Sequence, residues 1–180
     1  MYILQSQLRN LPIMSLQTGK SVGIMREPII NMATLEVMAV SCQPADNKRQ
    51  LQILLMRDIR QMSPDGAIID SFEDFSDPQD IVRLQPILQQ HYNPLGARVI
   101  DQHSHRLGKV EDYTISLKTN QVQKLYVHQS LIRSMVFNNA IIDRSQIIDV
   151  KPKQFVVSDT ATPRLSPAVK TVPKPASSRP

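Results

Sequence analysis

The chain has 180 residues, enough for one medium domain or two small ones, and 41% of them are hydrophobic, enough to build a core. Its aromatic residues are four Tyr and four Phe with no Trp, which disfavours a base-stacking surface or an aromatic ligand cage. No apolar run approaches the roughly 20 residues of a membrane-spanning helix, and the N-terminus lacks the features of a signal peptide. Because the single cysteine, Cys42, has no intramolecular partner, we expect a reducing, cytoplasmic location.

Charge is unevenly distributed along the chain. Residues 1–92 carry 8 Lys and Arg against 10 Asp and Glu, residues 93–157 carry 9 against 5, and residues 158–180 carry 4 against 1. The net charge of +5 therefore comes from the second half and the tail, and a basic balance favours weak attraction to nucleic acid or acidic surfaces.

Residues 1–77 are predicted to form a β-rich unit. Alternating apolar residues predict strands at 29–32 and 37–41, joined by a turn at 33–36. Gly23 lies where one strand is expected to bend into the next, and a glycine there suits a bulge or the corner of a small barrel.

Residues 78–92 are predicted to be a helical connector. Ser76 is a candidate N-cap with Gln79 three residues later, and Pro78 fits the first turn of a helix. Apolar residues follow at helical spacing up to residue 91, and Pro86 within this pattern is expected to kink or divide the helix.

Residues 93–157 predict a second unit of the same kind. Strands are expected at 113–117 and 122–127 with a turn between them, and Gly96 and Gly108 are placed at corners. Residues 158–180 then contain five prolines and four basic residues, a composition that predicts a disordered tail.

Two blocks of sequence recur in the same order, which indicates an internal duplication. Residues 21–25 align with 106–110 at a spacing of 85, and the tetrapeptide Ala-Ile-Ile-Asp at 67–70 recurs at 140–143, at a spacing of 73. The difference of 12 residues is assigned to an insertion near 43–50. On this alignment Asp70 and Asp143 are matching turn residues.

The repeated blocks resemble the PRC-barrel domain family. The second repeat carries Leu107-Gly108-Lys109-Val110 as the Leu-Gly-x-Val of that family, followed by an apolar hairpin and an Ile-Asp strand. The first repeat fits more loosely, with Val22-Gly23-Ile24 at the glycine. The resemblance implies a six-stranded antiparallel barrel for each repeat, hence an all-β protein of two tandem barrels with a short connecting helix and no catalytic residues.

The sequence offers one cluster of metal-ligand residue types, Asp-Gln-His-Ser-His at 101–105. Because it aligns with a polar turn of the first repeat and offers three ligands without a fourth, it is interpreted as an exposed turn. Cys42 has no activating context, and no glycine-rich phosphate loop is present. The sequence therefore predicts no enzyme activity, no metal and no cofactor.

Five basic residues of the second repeat are predicted to form a partner surface: Arg98, Arg106, Lys109, Lys118 and Lys124. The scarcity of aromatic residues favours a protein partner, so the leading interpretation is a non-catalytic interaction or adaptor protein with no membrane association. A role in RNA binding or ribosome maturation is the alternative, because one setting of PRC-barrel domains is a ribosome maturation factor. Self-association through open strand edges is a third interpretation.

Overall fold

The computed structural model describes residues 1–46, 50–129 and 138–158, and strands make up most of them, which confirms the prediction of an all-β protein. The strands are β1 (Tyr2–Leu4), β2 (Pro12–Ser15), β3 (Ser21–Asn31), β4 (Glu36–Pro44), β5 (Gln52–Leu55), β6 (Ile59–Ser63), β7 (Gly66–Ile69), β8 (Phe75–Ser76), β9 (Arg98–Asp101), β10 (Arg106–Ser116), β11 (Gln121–Gln129), β12 (Asn138–Asp143), β13 (Ile147–Lys151) and β14 (Gln154–Val157). The helices are α1 (Gln5–Leu8) and α2 (Gln85–Gln90), with 3₁₀ turns at Met56–Asp58, Phe72–Asp74, Val82–Leu84 and Arg144–Gln146.

Six strands of each repeat pair in the same order. The first repeat runs β6-β7-β2-β3-β4-β5, and the second runs β13-β14-β9-β10-β11-β12. In each repeat the first strand pairs in parallel with the last, as β2 does with β7 and β9 with β14, while the other pairs are antiparallel. A duplicated sequence accounts for this shared pairing pattern.

The alignment of the two Ala-Ile-Ile-Asp blocks is wrong, although the repeat itself is present. The first block lies in β7 and the second in β12, whereas the pairing pattern makes β14 the equivalent of β7 and β5 the equivalent of β12. A 3₁₀ turn begins at the residue directly after β5 and after β12, whereas two residues separate β7 from the 3₁₀ turn that follows it, and this supports the corrected match. The error arises because a short apolar block suits any buried strand, whatever its position in the sheet.

The strands form one open mixed sheet, so the structure does not support two separate closed barrels. The two repeats are joined where β4 meets β11, at the pair Glu36 and Gln121. One large hydrophobic core also extends across both repeats, with Met25 and Ile30 of β3 buried in the same cluster as Val110 and Ile115 of β10. Buried and less buried residues alternate along much of β3 and the first part of β10, as expected for strands with one buried face, whereas residues 113–116 of β10 are all buried.

The short segment that precedes each repeat packs against the other repeat. Strand β1 precedes the first repeat and pairs with β10 of the second, while α2 precedes the second repeat and packs on β3 of the first. A smaller core forms beneath α2, where Leu84 is buried with Ala39 and Ile53. The connector therefore contributes to the packing of the first repeat.

The connecting helix is shorter than predicted. Its α-helical part is Gln85–Gln90, preceded by the 3₁₀ turn, and Pro86 lies in its first turn instead of dividing it. Proline is tolerated there because the first N–H groups of a helix have no intrahelical partner.

No helix within the described part of the chain is long and apolar enough to cross a membrane. Most of the predicted tail, residues 159–180, lies outside the described residues.

Candidate anion-binding cleft

An open cleft of about 880 Å³ lies at one end of the second repeat and is lined with basic side chains. Four of its lining residues are cations: Arg98, Lys109, Lys151 and Lys153. Among the described residues no Asp or Glu lines the cleft, although His91 does. We call this surface, defined by those four cations, the basic cleft.

Strand pairing brings Arg98 and Lys109 side by side. The two residues are direct partners in the antiparallel pair of β9 and β10. Their neighbours Val99 and Val110 are buried in the core, and because side chains alternate along a strand, Arg98 and Lys109 both face solvent.

The turn between β13 and β14 adds the other two cations. Lys151 and Gln154 pair across this turn, and Lys153 lies within it. The parallel pairing of β14 with β9 places the turn beside Arg98, whose backbone N–H donates to the Lys153 carbonyl at 2.9 Å. The ammonium group of Lys151 also lies 3.7 Å from the carboxylate of Asp149. This is a surface ion pair, in which the Lys151 side chain is 58% exposed.

The remaining wall of the cleft is the segment that follows α2. His91 ends the helix in the left-handed conformation with a φ of +44°. Gly96 has a φ of +75°, and its N–H donates to the carbonyl of Val110 at 2.8 Å, so the wall is bonded directly to β10. Asn10 occupies the equivalent position of the first repeat, because its N–H donates to the carbonyl of Met25 at 2.8 Å and its φ is +72°.

Three residues of the predicted partner surface lie outside the cleft lining. Arg106 lies at the start of β10, Lys118 in the turn between β10 and β11, and Lys124 on β11 opposite Asp143. Sequence reasoning missed Lys151 and Lys153. The signal that could have found them is a proline between two lysines, which marks a basic turn.

The equivalent surface of the first repeat is not basic. Pro12 and Ile24 pair there as Arg98 and Lys109 do in the second repeat. The turn between β6 and β7 closes on the pair Ser63 and Gly66, with Asp65 within it. Since the same backbone forms without cations, the basic side chains are not needed to fold the repeat.

The predicted corner glycines differ in how closely the backbone approaches them. At Gly108, with a φ of +148°, an added Cβ would lie 2.4 Å from the carbonyl oxygen of His128. At Gly23 it would lie 2.8 Å from the carbonyl oxygen of Gln43, whereas at Gly96 it would meet nothing within 4 Å. The first two positions therefore exclude a side chain because the neighbouring strand is too close.

The two predicted turn aspartates have different structural partners. Asp70 accepts two hydrogen bonds from the Arg60 guanidinium, at 2.6 and 2.8 Å, and this pairing holds the pKa of Asp70 below its ordinary value. Asp143 caps the 3₁₀ turn after β12 by accepting from the backbone N–H of Ser145, which lowers the pKa of Asp143. Both side chains act in local structure.

Cys42 is a buried thiol on β4 and lies apart from the cleft. Its side chain is fully buried, and burial raises the pKa of the thiol to about 12 despite a backbone hydrogen bond at Leu54 that favours the thiolate. A thiol with so high a pKa is protonated at neutral pH and is a poor nucleophile.

The basic cleft has the chemistry of a binding surface for anions. Guanidinium and ammonium groups donate charge-assisted hydrogen bonds to carboxylates and phosphates. None of the described lining residues is a Phe, Tyr or Trp, so the imidazole of His91 is the one ring among them on which a base could stack. No known protein-family model and no curated protein matches the sequence, so the functional assignment rests on the geometry of this cleft.

Proposed function

We propose that the chain is a non-catalytic interaction protein whose basic cleft binds an acidic segment of a partner protein. The observation that carries this proposal is the convergence of Arg98, Lys109, Lys151 and Lys153 on one open cleft whose described lining contains no acidic residue. An extended peptide with several carboxylates suits such a cleft because its charges can be spread along the surface.

The restriction of the basic surface to the second repeat supports a binding role. Pro12 and Ile24 show that the fold does not require cations at these positions. Four like charges brought together repel one another, at a cost that an anionic partner offsets. Solvent-exposed ion pairs are individually weak, so we expect moderate affinity that falls as ionic strength rises.

The proposal also includes membership of the PRC-barrel family for both repeats. Its support is the Leu-Gly-x-Val motif at 107–110 together with the shared order of six strands in each repeat. The family resemblance implies no catalytic residues for this chain, which is consistent with an adaptor role.

RNA binding or ribosome association is the second candidate function, because phosphates would be attracted to the same four cations. The described lining of the cleft offers one ring for base stacking, the imidazole of His91, so recognition of RNA here would depend mainly on backbone charge. That chemistry favours the acidic peptide over a nucleic acid.

Fluorescence anisotropy separates the two candidates. The full chain is titrated into a labelled oligo-glutamate peptide and, separately, into a labelled oligoribonucleotide of equal charge. We expect the peptide to bind more tightly at low salt and to be released as salt is added. Tighter binding of the RNA would favour the alternative function, and binding of neither probe would overturn the proposed function.

A further inference from the structure

The turn that joins β9 to β10 brings together three side chains of the kinds that bind transition metals. Ligand atoms of Asp101, His103 and His105 all lie within 4.8 Å of one another. The turn closes through two backbone hydrogen bonds between Asp101 and residues His105 and Ser104, at 3.0 and 3.1 Å. We call residues 101–105 the histidine turn.

The carboxylate of Asp101 is fixed in position by the turn itself. Its Oδ1 accepts the backbone N–H groups of His103 and His105, at 2.9 and 2.8 Å. Its Oδ2 lies 2.9 Å from the Nδ1 of His105. Two ligands about 2.1 Å from a metal ion in tetrahedral geometry lie about 3.4 Å apart, so this oxygen and nitrogen need to separate by only about half an ångström to hold one ion.

The third ligand needs only a side-chain movement. The imidazole of His103 is exposed, and its ring centre lies 6.0 Å from that of His105. Exposed side chains change rotamer on a nanosecond timescale, so His103 can turn towards the other two ligands without rearranging the backbone. Both imidazoles can therefore join the carboxylate on one ion.

The first repeat shows that the turn does not need these side chains. Its equivalent turn runs from Ser15 to Lys20 and closes through similar bonds, from Ser15 to Lys20 at 3.0 Å and from Gly19 to Ser15 at 2.8 Å. Gly19 and Ser104 share the left-handed conformation, with φ of +65° and +67°. The first turn contains no histidine or carboxylate, so the ligand set of the second is additional to what the backbone requires.

We propose that Asp101, His103 and His105 form a binding site for a divalent transition metal, with two imidazoles and one carboxylate on one face of the ion. Imidazole ligands select zinc, copper, nickel or iron(II) over magnesium and calcium, which prefer oxygen ligands. Three protein ligands leave coordination positions for water or for a group from a partner. The site is separate from the basic cleft, because none of its three residues lines that cleft.

Zinc titration by isothermal calorimetry tests this proposal on the full chain. We expect one zinc ion to bind per chain, and we expect His103→Ala and His105→Ala each to weaken binding by at least tenfold. Asp101→Asn keeps an oxygen that can accept the turn hydrogen bonds and should weaken zinc binding to a similar extent. Gln102→Ala lies on the same turn without supplying a ligand and is the matched control, with an expected change below twofold.

Imidazole NMR of the same samples locates the ion. Zinc should shift the ring nitrogen signals of His103 and His105 and leave those of His91 and His128 unchanged. The proposal would be overturned by no binding at millimolar zinc, by unchanged affinity in both histidine variants, or by shifts confined to His91 or His128. The far-UV circular dichroism of each variant without zinc shows whether its fold is intact.

Discussion

The backbone N–H of Val37 donates to the carbonyl of Asn120 at 2.6 Å, and the N–H of Val122 returns a bond to the carbonyl of Leu35 at 3.0 Å. Val37 corresponds to Val122, and Leu35 to Asn120, at the spacing of 85 that relates β3 and β4 to β10 and β11. Leu35 and Asn120 also share a left-handed conformation, with φ of +55° and +53°. The repeats therefore meet across an approximate twofold axis, as two identical subunits do in a symmetric dimer.

This reciprocal contact predicts that Val122→Pro destabilises the whole chain. Proline removes the N–H that bonds to Leu35, and leaving that carbonyl without its donor costs about 1–3 kcal/mol. Because the two repeats share one core, we expect a single unfolding transition at lower denaturant concentration. Loss of less than about 1 kcal/mol, measured by urea unfolding, would show that the contact contributes little.

A pair of glycine substitutions tests how closely the strands pack. Gly108→Ala should destabilise the chain by about 3 kcal/mol, since its Cβ overlaps the backbone of His128 in a conformation that side chains rarely adopt. Gly96→Ala is the matched control. An alanine at its positive φ destabilises the chain by about 1 kcal/mol, but the added Cβ would meet no atom within 4 Å. Thermal unfolding of both variants measures the difference, and equal losses would contradict the close approach at Gly108.

The Cys42 thiol should react only after unfolding. Burial raises its pKa to about 12, so in the native chain the thiol is both protonated and inaccessible to reagents. We expect Ellman's reagent at pH 8 to label it slowly in buffer and rapidly in guanidinium chloride. Rapid labelling of the native chain would show that β4 is more accessible than its burial indicates.

The pair of Arg60 and Asp70 predicts a stability difference that depends on pH. The pKa of Asp70 is lowered in the folded chain by its hydrogen bond to Arg60, so the pairing stabilises the fold above the unfolded-state pKa of about 3.9. That contribution is lost as pH falls through the lower folded-state pKa. We therefore expect Arg60→Ala to be less stable than the wild type at pH 7 and the two to converge towards pH 2.

Carboxyl NMR gives an independent measurement of this pair. The pKa of Asp70 should rise in Arg60→Ala and stay unchanged in Arg83→Ala, which removes an exposed arginine that does not pair with Asp70. An unchanged Asp70 pKa in Arg60→Ala would show that the bidentate pairing does not persist in solution.

Local chemistry allowed parts of the fold to be predicted from the sequence. The turn between β10 and β11 was expected at 118–121, where Asn120 adopts the left-handed conformation that asparagine tolerates. The alternation of apolar residues located the strands on either side. These features depend on neighbouring residues, so the sequence pattern alone indicates them.

The basic cleft depends on contacts between distant residues, and only part of it was predicted. Arg98 and Lys109 were expected to share a surface, and they lie on neighbouring strands. Lys153 joins them through the parallel pairing of β9 with β14, a contact between segments more than 50 residues apart. Parallel pairing leaves no local turn signal, and the misaligned Ala-Ile-Ile-Asp blocks obscured which strand closes the repeat.

Charge reversal at one lysine tests whether the basic cleft binds an acidic partner segment. The dissociation constant for an oligo-glutamate peptide is measured at low salt for wild type, Lys153→Glu and Lys118→Glu. Lys153 lines the cleft, whereas Lys118 is an exposed lysine outside it. Because both variants replace a lysine with a glutamate, they change the net charge equally. We expect roughly tenfold weaker binding for Lys153→Glu, about 1.4 kcal/mol, and a much smaller change for Lys118→Glu. Equal weakening in both variants would mean that the peptide responds to net charge alone, and it would contradict a binding site in the cleft.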